Sequence, residues 1–368
     1  MIVSARPYPD YRKISSKNKP FGLEEMSFYP LGRDALLSGL IALGLKKGHS
    51  VIVPAFMCFS SIQPLEAYGF KLVFIDIGKS LELPVDIIKQ VVAKDDSIKA
   101  ILVVHYFGLT QNIDKIVDMG REYGFKVIED ASHSFMSQLW RDRDNIKGDI
   151  EIFSMRKSLP VVDGGALRIN NDHFRPIKAC NSRCVSIVGD FKYLTLRFLE
   201  RLVTVMGVNT YGQFINSIKV ILRSKVTHEV YEYGAEACQV SWQLKKYLDS
   251  EKYLQSTQHK ITNNFNQLSQ ALQSFGFRLF AESVEDNVVP QVCIIYDDNG
   301  GLVEHLRSKG IGAWRWPDIE MPNEVTHNPS QYPNTIFFDK NLALIPIHQS
   351  LGDKQMNYII KALSRWQL

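Results

Sequence analysis

Between residues 29 and 170 the chain alternates amphipathic stretches with short, almost wholly apolar runs, and this alternation limits the possible fold more than any other feature. The runs are Ser50-Val-Ile-Val-Pro54, Lys71-Leu-Val-Phe-Ile-Asp76, Ala100-Ile-Leu-Val-Val-His105, Lys126-Val-Ile-Glu-Asp130, Glu151-Ile-Phe-Ser154 and Gly165-Ala-Leu-Arg-Ile169. A strand apolar on both faces must be covered on both, and crossover helices that cover it also make its sheet mostly parallel. Helical spacing fills the gaps. A helix is predicted over 34–47, with Leu36, Leu37, Leu40, Ile41 and Leu43 apolar and a stop at Lys46-Lys47-Gly48. A second, over 112–123, lines up Ile113, Ile116, Val117 and Met119. The fold class is therefore α/β. Such sheets bind ligands at the carboxyl ends of their strands, which nominates His105, Asp130 and Ser154 to meet in one crevice.

Beyond this block the character changes. Residues 185–233 read as a helical insertion with Arg197, Arg201, Lys219, Arg223 and Lys225 among apolar positions. A helical cover or subunit contact explains it more simply than a membrane-surface helix. A long amphipathic helix over 234–273 then leads into strands at 288–296, 312–316 and 342–347. With 368 residues there is material for about two domains. The division predicted is a large α/β domain, 1–235, and a small carboxyl-terminal α+β domain, 236–368.

Composition removes several function classes. Lys plus Arg (43) against Asp plus Glu (39) leaves a net charge of +4, too weak a field to imply nucleic-acid binding. No window reaches the ~20 apolar residues of a membrane span, and the amino terminus lacks the pattern of a signal peptide. The cysteines (Cys58, Cys180, Cys184, Cys238, Cys293) are odd in number and lack a Cys-x-x-Cys pair, which supports neither a disulfide framework nor a zinc site. Cys180 and Cys184, with His173 nearby, read as thiols rather than metal ligands. A reduced, cytoplasmic setting fits best.

The stretch that carries chemistry is Val127-Ile-Glu-Asp-Ala-Ser-His133, followed by Gly148-Asp149, Phe153-Ser154, Lys157 and Asp163-Gly-Gly165. It supplies a strand-end carboxylate, an imidazole three residues later, a strand-end hydroxyl, and a lysine ahead of two glycines. Each suits an aldehyde cofactor bearing a phosphate. An amine forms a Schiff base, a carboxylate keeps a pyridinium nitrogen protonated, and a hydroxyl donates to phosphate.

These motifs resemble the DegT/DnrJ/StrS family of pyridoxal 5'-phosphate (PLP) dependent sugar aminotransferases, in the fold-type I group. The matching residues are Glu129-Asp130-Ala131-Ser132-His133, Gly148-Asp149, Phe153-Ser154, and Lys157 separated by six residues from Gly164-Gly165. Further likeness covers 51–54, Val104-His105-Tyr106 and Leu344-Ile-Pro-Ile-His348-Gln-Ser-Leu351. The resemblance implies that Lys157 carries the cofactor and shuttles the proton, that Asp130 pairs with the ring nitrogen, and that His133 lies on the ring or bonds its phenolic oxygen. It also implies that Ser154 donates to the phosphate. Pro30-Leu-Gly32-Arg33-Asp34 occupies the place of the family's phosphate-binding turn, with Arg33 as an added contact and Asp34 as a helix cap.

Departures accompany the likeness. Cys58 stands where the family often has a ring-stacking aromatic, leaving stacking to Phe59, Tyr106 or His133. The 154–157 loop is two residues shorter than in the commonest members. No Asn-Tyr-Arg segment, which in the family reaches the neighbouring subunit's site, is evident in 226–236.

What the resemblance implies is amino transfer from an amino acid, glutamate first, to a nucleotide-linked keto-sugar for polysaccharide or secondary-metabolite synthesis, in a homodimer. Two readings compete: a PLP-dependent sugar dehydratase, whose members replace the lysine with histidine, and a non-catalytic PLP-bound regulator.

Overall fold

The computed structural model describes residues 1–10, 25–139, 147–170, 191–195, 197–198, 236–317 and 320–366. Its larger sheet has seven strands in the order β1-β7-β6-β5-β4-β2-β3. These are β1 (Met26–Tyr29), β2 (Ser50–Pro54), β3 (Lys71–Ile75), β4 (Ile98–Val104), β5 (Lys126–Asp130), β6 (Ile150–Ser154) and β7 (Gly165–Ile169). Strands β2 to β6 pair in parallel, while β7 runs antiparallel to both β6 and β1. All six apolar runs of the sequence are strands here, which makes the fold the mostly parallel α/β type expected.

Burial on both faces explains those runs. Val51 and Val53 pack with the first helices, α1 (Gly32–Ala42) and α2 (Phe59–Tyr68). Ile52 between them packs on the opposite face with α3 (Val85–Val92) and α4 (Asp114–Tyr123). The same alternation puts Ile128 on the α1 face and Val127 on the α3–α4 face. Asp130 therefore shares a face with Ile128, and Glu129 shares the other with Val127.

Helix α1 stops before the predicted end. Gly44 takes a left-handed φ of +83°, and its N–H and that of Leu45 close onto Ile41 O and Leu40 O (2.9 and 3.1 Å). A short helix, α5 (Phe135–Gln138), follows β5.

The carboxyl-terminal part carries a two-stranded antiparallel sheet, β8 (Val292–Tyr296) and β9 (Leu342–Pro346). With it come helices α6 (Trp242–Leu248), α7 (Glu251–Ser274), α8 (Leu302–Ser308), α9 (Asn323–His327), α10 (Pro333–Asn341) and α11 (Asp353–Ser364). The single helix expected over 234–273 is two, because Ser241 and Ser250 each cap a new start, accepting from Leu244 N and Tyr253 N. The strand expected at 312–316 is reduced to one bridge, Trp314 with Leu344; Pro317, with no N–H to donate, ends any extension.

Cysteine spacing misled in one respect. Cys58 and Cys293 are buried free thiols, whereas Cys238 is disulfide-bonded to a residue outside those described. Folding joins cysteines by space, not by sequence interval. His173, Cys180, Cys184 and nearly all of the 185–233 segment also lie outside the described residues, as does most of 226–236; the described pieces, 191–195 and 197–198, are helical. No described helix is long and apolar enough to cross a membrane.

Candidate active site

Three strand ends and one helix start meet at the carboxyl edge of the parallel strands. Asp130 closes β5 with its carboxylate buried (7% exposed), and its Oδ1 accepts the Ser132 N–H at 2.9 Å. His133, one turn on, is equally buried and stacks on Phe107 (5.4 Å between centroids, 18° between planes). Phe107 has a left-handed backbone, φ +56°, which a bulky residue adopts only at a cost of roughly 1–2 kcal/mol. That conformation delivers its N–H to His133 Nδ1 (3.3 Å). In the neutral ring the proton then sits on Nε2, which becomes a donor. Burial, and then the charge of Lys157, hold His133 well below its usual pKa, so neutral is the state to expect.

An aromatic wall encloses this end. Trp316 packs edge-on against His133, Phe107 and Tyr106 with centroids 5.4–5.7 Å apart. The Tyr106 hydroxyl donates to Phe56 O (2.7 Å); burial raises its pKa, and Asp130 and Cys58 add to the shift. Cys58 is buried just ahead of α2, and Phe59 opens that helix with its N–H on Glu320 O (2.8 Å).

Lys157 lies on a one-turn 3-10 segment, Met155–Lys157, directly after β6. The turn is clamped from the carboxyl-terminal part: Gln291 Nε2 donates to Lys157 O (3.4 Å) and Gln349 Nε2 to Ser158 O (3.0 Å). Gln291 N also donates to Phe107 O (2.7 Å), so one residue ties the lysine turn to the His133 wall. The twin glycines have separate reasons. Gly164 is left-handed at φ +112° and its carbonyl accepts from Met155 N (2.8 Å). A β-carbon on Gly165 would fall on the Leu31 carbonyl, so only glycine lets β7 pass the start of α1. Asp163 before them is sealed, accepting from Ser241 N and Oγ at 2.7 Å each.

The third component is the start of α1. Its first helical bond runs from Ala35 N to Leu31 O (3.2 Å), which leaves the Gly32 and Arg33 amides ahead of the ladder. Gly32 abuts β6 and β5: a β-carbon there would lie 3.2 Å from Ser154 Cβ and 3.4 Å from Ser132 Oγ. Asp34 is buried and caps from inside the helix, its Oδ2 accepting the Leu31 N–H (3.1 Å). Burial raises its pKa, opposed by the charges of Arg33 and Arg156 and by the Leu31 bond. Arg33 donates one Nη1 hydrogen bond to Ser60 O (3.4 Å). The Arg156 side chain reaches the surface, yet crowding by protein and then the charges of Arg6 and Arg33 lower its pKa. Two guanidiniums, Arg33 and Arg156, thus face the Asp34 carboxylate, and Arg6 lies near Arg156.

Of the strand-end trio, two converge. His105 does not join Asp130 and Ser154. It shares the Glu129 face, where its Nε2 meets Glu129 Oε2 at 3.0 Å and its Nδ1 accepts Gln111 N (3.1 Å). Glu129 Oε1 in turn accepts Gly148 N (2.7 Å), making this pair a buried brace behind the site. Sequence reasoning missed Trp316, Gln291, Gln349 and Ser132. Ser132 and Gln349 sit inside quoted stretches without having been singled out; Gln291, Trp316 and Gln349 all arrive from more than 130 residues away.

This donor set fits a phosphorylated aromatic aldehyde. A buried carboxylate, a neutral imidazole donor and an amine lie at one end, and an anion cradle of helix amides, hydroxyls and guanidiniums lies at the other.

Comparison with known proteins agrees. Residues 31–190 match the profile of the DegT/DnrJ/EryC1/StrS aminotransferase family. GDP-perosamine synthase of Vibrio cholerae is 31% identical over 144 residues, 38% of this chain and 39% of that protein, so the match spans about two-fifths of the relative's length. A DegT DnrJ EryC1 StrS aminotransferase from Brucella abortus superposes with a TM-score of 0.62 at 18% identity, over 95% of this chain and 91% of its own. NtdA from Bacillus subtilis, solved with bound cofactor PMP, gives 0.62 at 18% over 93% and 73%. By sequence, residues 31–190 are thus similar to the DegT/DnrJ/EryC1/StrS aminotransferase family, and the chain shares the α/β fold of these solved neighbours.

Proposed function

We propose that the protein is a PLP-dependent aminotransferase that moves an amino group from an amino acid, glutamate first, onto a nucleotide-linked keto-sugar. The observation that supports the reading is that Lys157 acts on His133, which follows Asp130 on one turn at the end of β5, while Ser132 of the same turn approaches Gly32 at the start of α1. The curated relative is a GDP-perosamine synthase, and a solved neighbour holds PMP, which supports the substrate and cofactor classes.

PLP, when bound, supplies an electron sink that stabilises the carbanion formed at the amino-bearing carbon. The chain's own residues do the rest. Lys157 Nζ would hold the aldehyde end of the coenzyme and would serve as the base that moves the proton during transfer. Asp130 keeps a proton on the ring nitrogen, and burial strengthens that charge-assisted bond. His133 Nε2–H donates to the ring's phenolic oxygen. Ser154 and the α1 amides hold the phosphate, with Arg33 beside them. Cys58, Phe59 and Tyr106 wall the ring. Lysine at position 157 tells against the dehydratase reading.

The finer parts of the reading are a two-domain division at 235/236, a homodimer whose partner subunit completes the site, a role in polysaccharide synthesis, and a cytoplasmic location. The decisive test supplies PLP, a panel of amino donors and then nucleotide keto-sugars to the purified protein. Donor-dependent conversion of the coenzyme and amination of the sugar are expected, and Lys157→Ala should lower turnover by at least about 10³-fold while leaving the fold intact. Full turnover by that variant, or a protein that takes up no PLP, overturns the assignment.

A further inference from the structure

Ser132 has no assigned role in the proposed reaction, yet its hydroxyl is one of two beside the start of α1. Ser132 is 7% exposed and Ser154 is 5% exposed, and neither hydroxyl has a hydrogen-bond partner among the described residues. Ser132 N–H is already spent on Asp130 Oδ1, which fixes the backbone and leaves only the side chain to act. Ser132 Oγ lies 3.4 Å from where a Gly32 β-carbon would be, and Ser154 Cβ lies 3.2 Å from the same point, so the two serines flank Gly32, one from just past β5 and one from the end of β6. Two hydroxyls in buried residues, each without a described partner and side by side at an eleven-residue helix start, offer a place for an acceptor. The acceptor is anionic, because the helix start is the positive end of α1 and Arg33 and Arg156 add charge there.

We infer that Ser132 Oγ is a second hydroxyl donor to the coenzyme phosphate, beside Ser154 and the Gly32 and Arg33 amides. The inference rests on the PLP reading above. It divides the Asp130–Ser132–His133 stretch between both ends of the coenzyme, the carboxylate and imidazole addressing the ring and the serine between them addressing the phosphate. One rigid turn then sets the distance between those ends.

The test compares PLP with pyridoxal, which keeps the aldehyde and ring but lacks the phosphate. Both are titrated into wild-type protein and Ser132→Ala by following the coenzyme–lysine absorption band, and the phosphorus NMR shift of bound PLP is recorded. The expected result is about a tenfold loss of PLP affinity with pyridoxal affinity unchanged, and a moved phosphorus signal. Equal weakening of both ligands would assign Ser132 to packing and overturn the inference, as would no change in either. A wild-type protein that binds neither ligand would instead overturn the PLP reading and this inference with it. Wild-type protein that binds both with equal affinity would leave that reading standing and remove the cradle alone.

Discussion

The two ends of the candidate site are built differently. At the β5 end the groups are locked: Asp130 holds Ser132 N–H, His133 is bonded by Phe107 and flanked by Trp316, and the Tyr106 hydroxyl is tied to Phe56. At the α1 end the serine hydroxyls stand open, and Arg33 meets Ser60 O and the charge of Asp34. The locked end sets ring chemistry, where a small displacement is costly. On the proposed reading the open end would receive a symmetric dianion, which tolerates several donors in several arrangements.

This contrast yields an ordered set of tests. Removing charge at the locked end should cost most. Asp130→Asn keeps the shape but cannot hold the ring-nitrogen proton, and a loss of about 10²–10³ in kcat is expected with a much smaller change in PLP affinity. Equal losses in both would mean that Asp130 mainly binds rather than activates.

Next comes the segment that brings Arg6 to the open end. It is held by His348, which is 7% exposed and whose Nε2 donates to Ser4 O at 2.9 Å. Burial pulls its pKa from 6.5 down to about 4, the Ser4 bond opposing and Arg197 assisting. The folded state thus refuses a proton that the unfolded state accepts. Stability should be unaffected above about pH 6.5, fall as pH drops from 6.5 toward 4, and level off below, by at most about 3 kcal/mol. His348→Gln should flatten much of that slope in denaturant titrations across this range. His133, titrating in the same direction, keeps the remainder. An unchanged slope would remove His348 from the account.

Gly165→Ala probes the seam between the ends, where β7 passes Leu31. Overpacking there should cost about 2 kcal/mol in thermal unfolding. It should also shift the α1 start and weaken PLP binding more than pyridoxal binding.

How much of this was legible in the sequence follows the same division. The strand ends could be read because two-sided burial leaves continuous apolar runs, and Val51, Ile52 and Val53 do alternate between two cores. The locked end could be read because Asp130 and His133 are three residues apart on one turn. Trp316, Gln291 and Gln349 could not, since periodicity says nothing about which distant loop docks on a crevice. His105 shows the matching error. Position at a strand end places a residue near a site, but side-chain parity sent it to Glu129 and away from Asp130. Ser132 was overlooked inside a quoted motif because its neighbours carry more obvious chemistry.

The smallest effect belongs to Arg33, and it separates the two ends most cleanly. Its guanidinium donates to Ser60 O at 3.4 Å and faces both Asp34 and Arg156. Part of its charge is therefore matched by Asp34, and what reaches the cradle acts through space across a half-open surface. Arg33→Gln should weaken PLP only about three- to fivefold at low salt, and the difference from wild type should shrink as salt screens it. Pyridoxal binding and the rate of bound coenzyme should stay as they are, because the ring end does not depend on this charge. A loss that salt leaves untouched would point to a direct bidentate contact on the phosphate, and the α1 end would then be as locked as the β5 end.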